Sequence, residues 1–310
     1  MATVWFTSIV AEIQLGSFEM KALCFGEILW DVKDDTRTLG GAPLNVAGHI
    51  SKLGGESYII SSVGDDELGQ LTMTTIDGLE VDRRFVHISG YETGVAEVVL
   101  EKGIPSYAFN DPAAWDDIKL TDEELSFISS QHFDAVVYGT LASRHAVTRK
   151  TLFAILDAIN SDEFFFDVNI RLSFYSDELI RECLKRATIL KMNSDEIPVV
   201  ASAIGTDEKN VIDSLFSFPK LRKIIVTCGG AGSYCHERGG NVIHAEAGNA
   251  TVVNTVGAGD SLSAAFLYFS SLGYGSKVSL SKASELAEYV VTKDGAIPEY
   301  DESLKEKLLS

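Results

Sequence analysis

Positive charge is scarce. The 310-residue chain carries 26 Lys and Arg against 45 Asp and Glu, a formal charge of −19. A field of that sign repels polyphosphate backbones, and no local basic patch offsets it, so nucleic acid is not an expected partner. Long apolar runs are also missing. No window reaches the ~18–20 apolar residues of a membrane span, so no membrane partner is expected. Cysteine is sparse: Cys24, Cys183, Cys228 and Cys235 form no C-x-x-C pair and read as reduced thiols of a cytoplasmic protein. Cys228, Cys235, His236 and His244 lie close together, but at strand and hairpin positions rather than at a zinc spacing. Six prolines against 26 glycines, without a triplet period, exclude a collagen-like or proline-linker architecture. The opening apolar stretch lacks a preceding basic residue and carries Glu12, which makes a poor secretory signal. The ordered domain is expected over residues 21–310, with residues 1–20 a disordered or non-native extension.

What is present is a core. Hydrophobic residues make up 45% of the chain, ample for one large domain. Apolar strands at 22–28, 57–63, 135–138, 164–168, 188–192 and 223–227 alternate with segments of helical spacing, such as Leu44, Ala47 and Ile50 behind Pro43. That rhythm predicts an α/β fold with a doubly wound, mostly parallel sheet flanked by helices. The rhythm breaks around 86–111, where Thr93–Glu101 alternates as a sheet with one wet face. A small extra β element is therefore expected at 86–112 together with 32–40. In such sheets ligands bind beyond the carboxyl ends of the strands. Asp31, Asn169, Arg171, Asn193 and Gly229-Gly230 all follow strands.

Asn254-Thr-Val-Gly-Ala-Gly-Asp260 opens an apolar helix. The small residues Gly257, Ala258 and Gly259 let a ligand approach the backbone. Their N–H groups, unpaired at a helix start, form an anion hollow with the positive dipole end behind it. A carboxylate beside such a hollow can take a proton from an attacking hydroxyl while the hollow holds a phosphoryl group. Taken singly, it is also an ordinary acidic first turn. Gly229-Gly230-Ala231-Gly232-Ser233 is neither a Walker A loop nor a dinucleotide fingerprint. It is either a glycine hairpin turn or a loop whose amides face nucleotide phosphates.

With Gly40–Asn45, Gly64–Gly69, Asn193-Ser-Asp-Glu196, Gly229–Ser233 and Thr255–Asp260 in this order, the chain resembles the ribokinase-like carbohydrate kinases of the phosphofructokinase B type over roughly residues 22–298. Gly26–Asp31, Asp111–Trp115, Tyr138–Arg144, Asp167–Arg171 and Gly295–Pro298 resemble the bacterial fructokinase branch. The resemblance implies ATP-dependent phosphorylation of a sugar primary hydroxyl, D-fructose to fructose 6-phosphate. Kinases for 2-keto-3-deoxygluconate, ribose or a nucleoside, and a catalytically silent sugar- or nucleotide-binding regulator, are the alternatives. It implies Asp260 as catalytic base, with Gly257, Ala258 and Gly259 as the anion hole. It implies Asp31, Gly41, Asn45 and Arg171 as sugar ligands. Asn193, Thr227, Gly229, Gly230, Gly232 and Thr255 are implied at the nucleotide, and Asn193 with Glu196 at Mg²⁺ through water. From residue type alone, Asp31 is also a turn cap, Arg171 an ion-pair partner, and Asn193 with Glu196 a helix cap. The implied lid, 32–40 with 86–112, is of a kind that often pairs between two subunits of a homodimer. Trp115 is implied near the hinge and substrate mouth, or in the core. Many relatives have Asp at the position of Asn254, where it helps hold a monovalent cation. With Asn254, and with Lys293 near the same loop, strong potassium activation is not expected.

Overall fold

The computed structural model describes residues 20–309 except 34–35 and 102–103. Residues 1–19, nearly all of the expected N-terminal extension, lie outside the described residues. The chain opens with β1 (Lys21–Phe25), β2 (Leu29–Lys33) and β3 (Thr36–Gly40), then α1 (Ala42–Lys52), β4 (Glu56–Gly64), α2 (Glu67–Gly78) and β5 (Asp82–Ser89). Next come β6 (Gly94–Glu101), β7 (Ile104–Phe109), α3 (Asp122–Ser130), β8 (His132–Gly139), α4 (Ala146–Ala158), β9 (Asn160–Asp167) and α5 (Asp177–Leu184). The last part holds β10 (Ile189–Asn193), α6 (Ile197–Ile204), α7 (Val211–Leu215), β11 (Lys223–Thr227), β12 (Ser233–Glu237) and β13 (Val242–Ala245). Three helices close the chain: α8 (Ala258–Ser271), α9 (Ser276–Val291) and α10 (Glu302–Leu309).

The described residues form a nine-stranded sheet in the order β13-β12-β11-β10-β9-β8-β1-β4-β5. It is parallel from β11 to β5; β12 alone runs the other way, pairing antiparallel with β11 on one side and β13 on the other. Two apolar clusters, one on each face, hold it. On one side Phe25, Phe133, Tyr138 and Phe166 meet Leu152, Ile180 and Leu215 of α4, α5 and α7. On the other, Cys24, Ile59 and Phe165 meet Ile50, Phe266 and Leu286 of α1, α8 and α9. The central strands are buried on both faces, so they read as continuous apolar runs rather than alternating ones.

A second sheet, β3-β2-β6-β7, stands apart. Its strand β2 continues the chain directly from β1 and is pinned to α2 by Trp30 Nε1–H, which donates to Thr72 Oγ1 at 2.9 Å. The expected boundary of this small element was misplaced. Residues 86–89 belong to β5, which pairs in parallel with β4 in the large sheet. The small sheet starts only at Gly94 and, in its first part, at Leu29. Phe85 and Val86 are buried, so β5 gains more from the large core than from an exposed lid. Among the described residues no helix is long and apolar enough to cross a membrane.

Candidate active site

Beyond the carboxyl ends of the parallel strands lies a cavity of about 800 Å³. One end is built on α8. Gly257 is the residue before that helix and has φ +80°, a left-handed conformation that suits glycine; a Cβ there would also lie 2.6 Å from the Ala296 carbonyl. No side chain caps this helix, so its first-turn amides face the cavity wall with the dipole behind them. Gly257 and Gly259 line the cavity. Ala258 does not; it lines an adjoining pocket, and its N–H leans back to the Thr255 carbonyl at 3.3 Å. Two of the three expected anion-hole residues therefore face the cavity.

Asp260, in the first turn of α8, is half-buried and lines the cavity. Its Oδ2 accepts a 2.7 Å hydrogen bond from Asn45 Nδ2 on α1. Burial pushes the Asp260 carboxyl up, and Asp167 adds to the push, while the Lys191 cation, Asn45 and Arg171 pull it down. The result is a carboxylate more basic than an ordinary aspartate. Asp31, on β2, lines the same cavity, and burial raises its pKa against the pull of Arg171. Gly41, at φ +112°, lets α1 start against the Glu27 carbonyl, where a side chain would collide with the backbone. Arg171 follows β9 on an exposed loop, lines the cavity, and donates from Nη1 to the Ile170 carbonyl at 3.0 Å.

The opposite end takes the remaining expected residues. Asn193, Glu196, Thr227, Gly229 and Thr255 line the main cavity. Gly230 and Gly232 line the adjoining, more apolar pocket of about 320 Å³, which shares Thr227, Gly229 and Thr255 with the first. Asn193 and Glu196 cap each other: Asn193 Oδ1 accepts from the N–H groups of Asp195 and Glu196, and Glu196 Oε2 accepts from the Asn193 N–H at 2.8 Å. Glu196 Oε1 accepts from the Ile170 N–H at 2.8 Å. Each oxygen is thus partly committed, which leaves room for contact with a metal's water but fits poorly with displacing that water. Burial, and then Asp167, raise the Glu196 pKa.

Three buried charges at the site were given no role from the sequence, although Glu27 and Asp167 stand inside motifs of the resemblance. Lys191, on β10, donates from Nζ to Asp167 Oδ2 at 2.8 Å, and the same ammonium lies 3.0 Å from where a Cβ on Gly259 would stand. Asp167 Oδ1 is buried with no hydrogen-bond partner among the described residues. Burial opposes the charge on Lys191, but Asp167 and Asp260 more than compensate and raise its pKa. The third is Glu27, 2% exposed, on the cavity wall between β1 and β2. It stands beside the start of α1, a helix whose own N-cap offers no side chain, and the Ala42 N–H there slightly lowers its pKa. Burial pushes Glu27 up to about 7, Asp260 adding to the rise, while its own N–H and Arg171 oppose it. A lysine inside an apolar strand and a glutamate after a strand glycine were the available signals. Trp115 is completely buried in the core. Lys293 does not reach the cation loop; its ammonium lies over the Tyr289 ring at 4.6 Å and 3.8 Å from Asp301. Asn254 Oδ1 accepts the Val256 N–H at 3.0 Å and so closes its own loop.

Comparison with known proteins places this geometry. Residues 6–302 match the model of the pfkB family carbohydrate kinases. The chain is 32% identical over 239 residues to the fructokinase of Klebsiella pneumoniae, covering 74% of this chain and 75% of that one. It is 26% identical over 304 residues to the 5-dehydro-2-deoxygluconokinase of Listeria innocua, covering 92% and 91%. Its fold superposes on the fructokinase of Vibrio cholerae O395, solved with fructose, ADP and a calcium ion, with a TM-score of 0.79 at 20% identity, over 94% of this chain and 99% of that one. A ribokinase-like α/β body with a small separate sheet, matched to that family model over almost its whole length, makes this chain a member of the pfkB family of carbohydrate kinases.

Proposed function

We propose that the protein transfers the γ-phosphoryl group of ATP to the primary hydroxyl of a neutral sugar, D-fructose first among them, giving fructose 6-phosphate. The observation that carries this is the setting of Asp260: a half-buried, basic-shifted carboxylate in the first turn of a helix whose N-cap is a glycine, tied to Asn45 on the cavity wall. In this reading the sugar rests between Asp31, Gly41 and Asn45, with its primary hydroxyl against Asp260. Asp260 takes the hydroxyl proton as the oxygen attacks the γ-phosphorus, and ADP leaves on the far side. The amides of Gly257 and Gly259 stabilise charge on the transferring group. Thr227, Gly229 and Thr255 flank the phosphates, and the adjoining apolar pocket by Gly230 and Gly232 takes the base and ribose. Mg²⁺, bound with the nucleotide, would neutralise phosphate charge. Asn193 and Glu196 would hold it through its waters, and the free Asp167 oxygen suits a cation nearby.

Two observations favour a neutral sugar over a sugar acid. Of the two cations lining the cavity, Lys191 is already paired with Asp167. The other, Arg171, acts on Glu27, Asp31 and Asp260 together. A substrate carboxylate would enter a field in which acids outnumber available cations. Fructokinase relatives support the same choice, while the 5-dehydro-2-deoxygluconokinase similarity supports the acid alternative. The test is ADP release with ATP, Mg²⁺ and a panel of neutral and acidic sugars, on wild type and Asp260→Asn. Fructose should lead the panel. The variant should lose at least ~10³-fold in kcat and keep its ATP affinity. Wild-type turnover in the variant would refute the assignment of the base.

A further inference from the structure

We propose that Arg144 is a positioning residue of the sugar site, joining the end of the small sheet and the Arg171 loop into one rigid wall. Its side chain is only 3% exposed, yet it reaches three segments. Nε and Nη2 donate to Asp116 Oδ1 and Oδ2 at 2.8 and 2.6 Å. Nη2 also donates to the Asn110 carbonyl at 2.8 Å, directly after β7. The guanidinium lies between two rings, 5.0 Å from the Trp115 centroid and 4.5 Å from that of Phe174. This sandwich accounts for Nη1, which is buried without a hydrogen-bond partner among the described residues.

Each end of the clamp leads to the cavity. Asn110 Oδ1 accepts the Val95 N–H at 2.8 Å and its Nδ2 donates to the Thr93 carbonyl at 3.1 Å, which fixes β6 to β7. Phe109, beside Asn110, lines the cavity and stands edge-on to both Trp115 and Phe174, at 6.1 and 5.9 Å. On the other side, the Phe174 N–H donates to the Arg171 carbonyl at 3.1 Å. The loop after β9 that carries Arg171 holds Asn169 at φ +44° and Leu172 at φ +50°. Asparagine adopts that conformation readily, but for Leu172 it is costly and persists only when the surroundings impose it. The Arg144–Phe174 contact is such an imposition.

A buried ion pair gives little net stability compared with apolar packing of the same volume. What the guanidinium adds is direction: bonds to Asp116 and Asn110, and a face for Phe174. The pair thus fixes Phe109 and Arg171 relative to each other across the mouth of the sugar end. The consequences are tight sugar binding and little phosphoryl transfer to water, because a wall held in place excludes water.

This inference rests on the kinase reading above, so the wild-type sugar panel is read first. A wild type that phosphorylates no sugar overturns the kinase reading and this inference with it. On whichever sugar is active, Arg144→Met and Phe174→Leu are then measured for sugar KM, ATP KM, and ADP released per sugar phosphate formed. Phe174→Leu removes the stacking face without stranding Asp116, so it stays informative if Arg144→Met does not fold. The expected result is a rise of about tenfold or more in sugar KM, excess ADP over sugar phosphate, and an ATP KM within about twofold of wild type. Unchanged sugar KM and unchanged coupling in a folded Phe174→Leu protein, or equal losses for sugar and ATP, would overturn the positioning role while leaving the kinase assignment intact.

Discussion

Glu27→Gln should make the protein more stable, and the gain should grow with pH. In the folded state burial raises the Glu27 pKa from 4.5 to about 7. A raised carboxyl pKa means that the folded state holds its proton longer than the unfolded state. The cost of ionising Glu27 is therefore almost absent below its unfolded value, builds as pH rises, and is complete above about 7. Between pH 5 and pH 8 linkage makes this cost grow by about 2 to 3 kcal/mol. Glutamine removes the charge at nearly the same side-chain volume, so the packing of the wall is kept. At ~2 cal/mol/K per residue for a chain of this size, the melting temperature of the variant relative to wild type should climb by about 4 °C from pH 5 to pH 8. Thermal denaturation of both proteins in matched buffers at the two pH values reads this directly, because all other titrating groups are common to both. A difference that stays constant with pH, or that shrinks as pH rises, would refute the view of Glu27 as an ion held in a dry site.

Asp167→Asn leaves Lys191 buried without its counter-ion and should cost about 3–5 kcal/mol of stability, measured as a lower denaturant midpoint. Gly257→Ala forces a side chain onto Ala296 at a left-handed position; kcat should fall with the sugar KM little changed, in steady-state assays of a variant confirmed folded. Rates in potassium and in a bulky organic cation should agree within about twofold, since Asn254 spends its oxygen on Val256; a large potassium stimulation would show that the loop binds the ion regardless.

Most of the fold was legible because its signals are local. Apolar strands buried on both faces, Pro43 inside the start of α1, and the glycines before α8 each announce themselves over a few residues. The small sheet was legible in kind but not in extent, since no local signal divides 86–89 from the alternating Thr93–Glu101 and only the tertiary burial of Phe85 and Val86 decides the partner of β5. Asp31, Arg171 and Asp260 were singled out because they follow strands or open a helix, and Asn45 through the family resemblance; all four line one cavity. Lys191, Asp167 and Glu27 were not used. Their pairing spans strands brought together only by the sheet, and a charged residue inside or after an apolar strand does not reveal which way it faces. Arg144 was quoted only as part of a motif, because its partners Asp116, Asn110 and Phe174 are joined to it by packing rather than by spacing.

Asp31 and Asp260 belong to different bodies. The first is carried by β2 in the small sheet, the second by α8 on the flank of the large one. A molecule gripped by both would act as a rivet through two plates. Its arrival should slow amide exchange along β2 and β6, including strand positions it never touches, before any nucleotide is added.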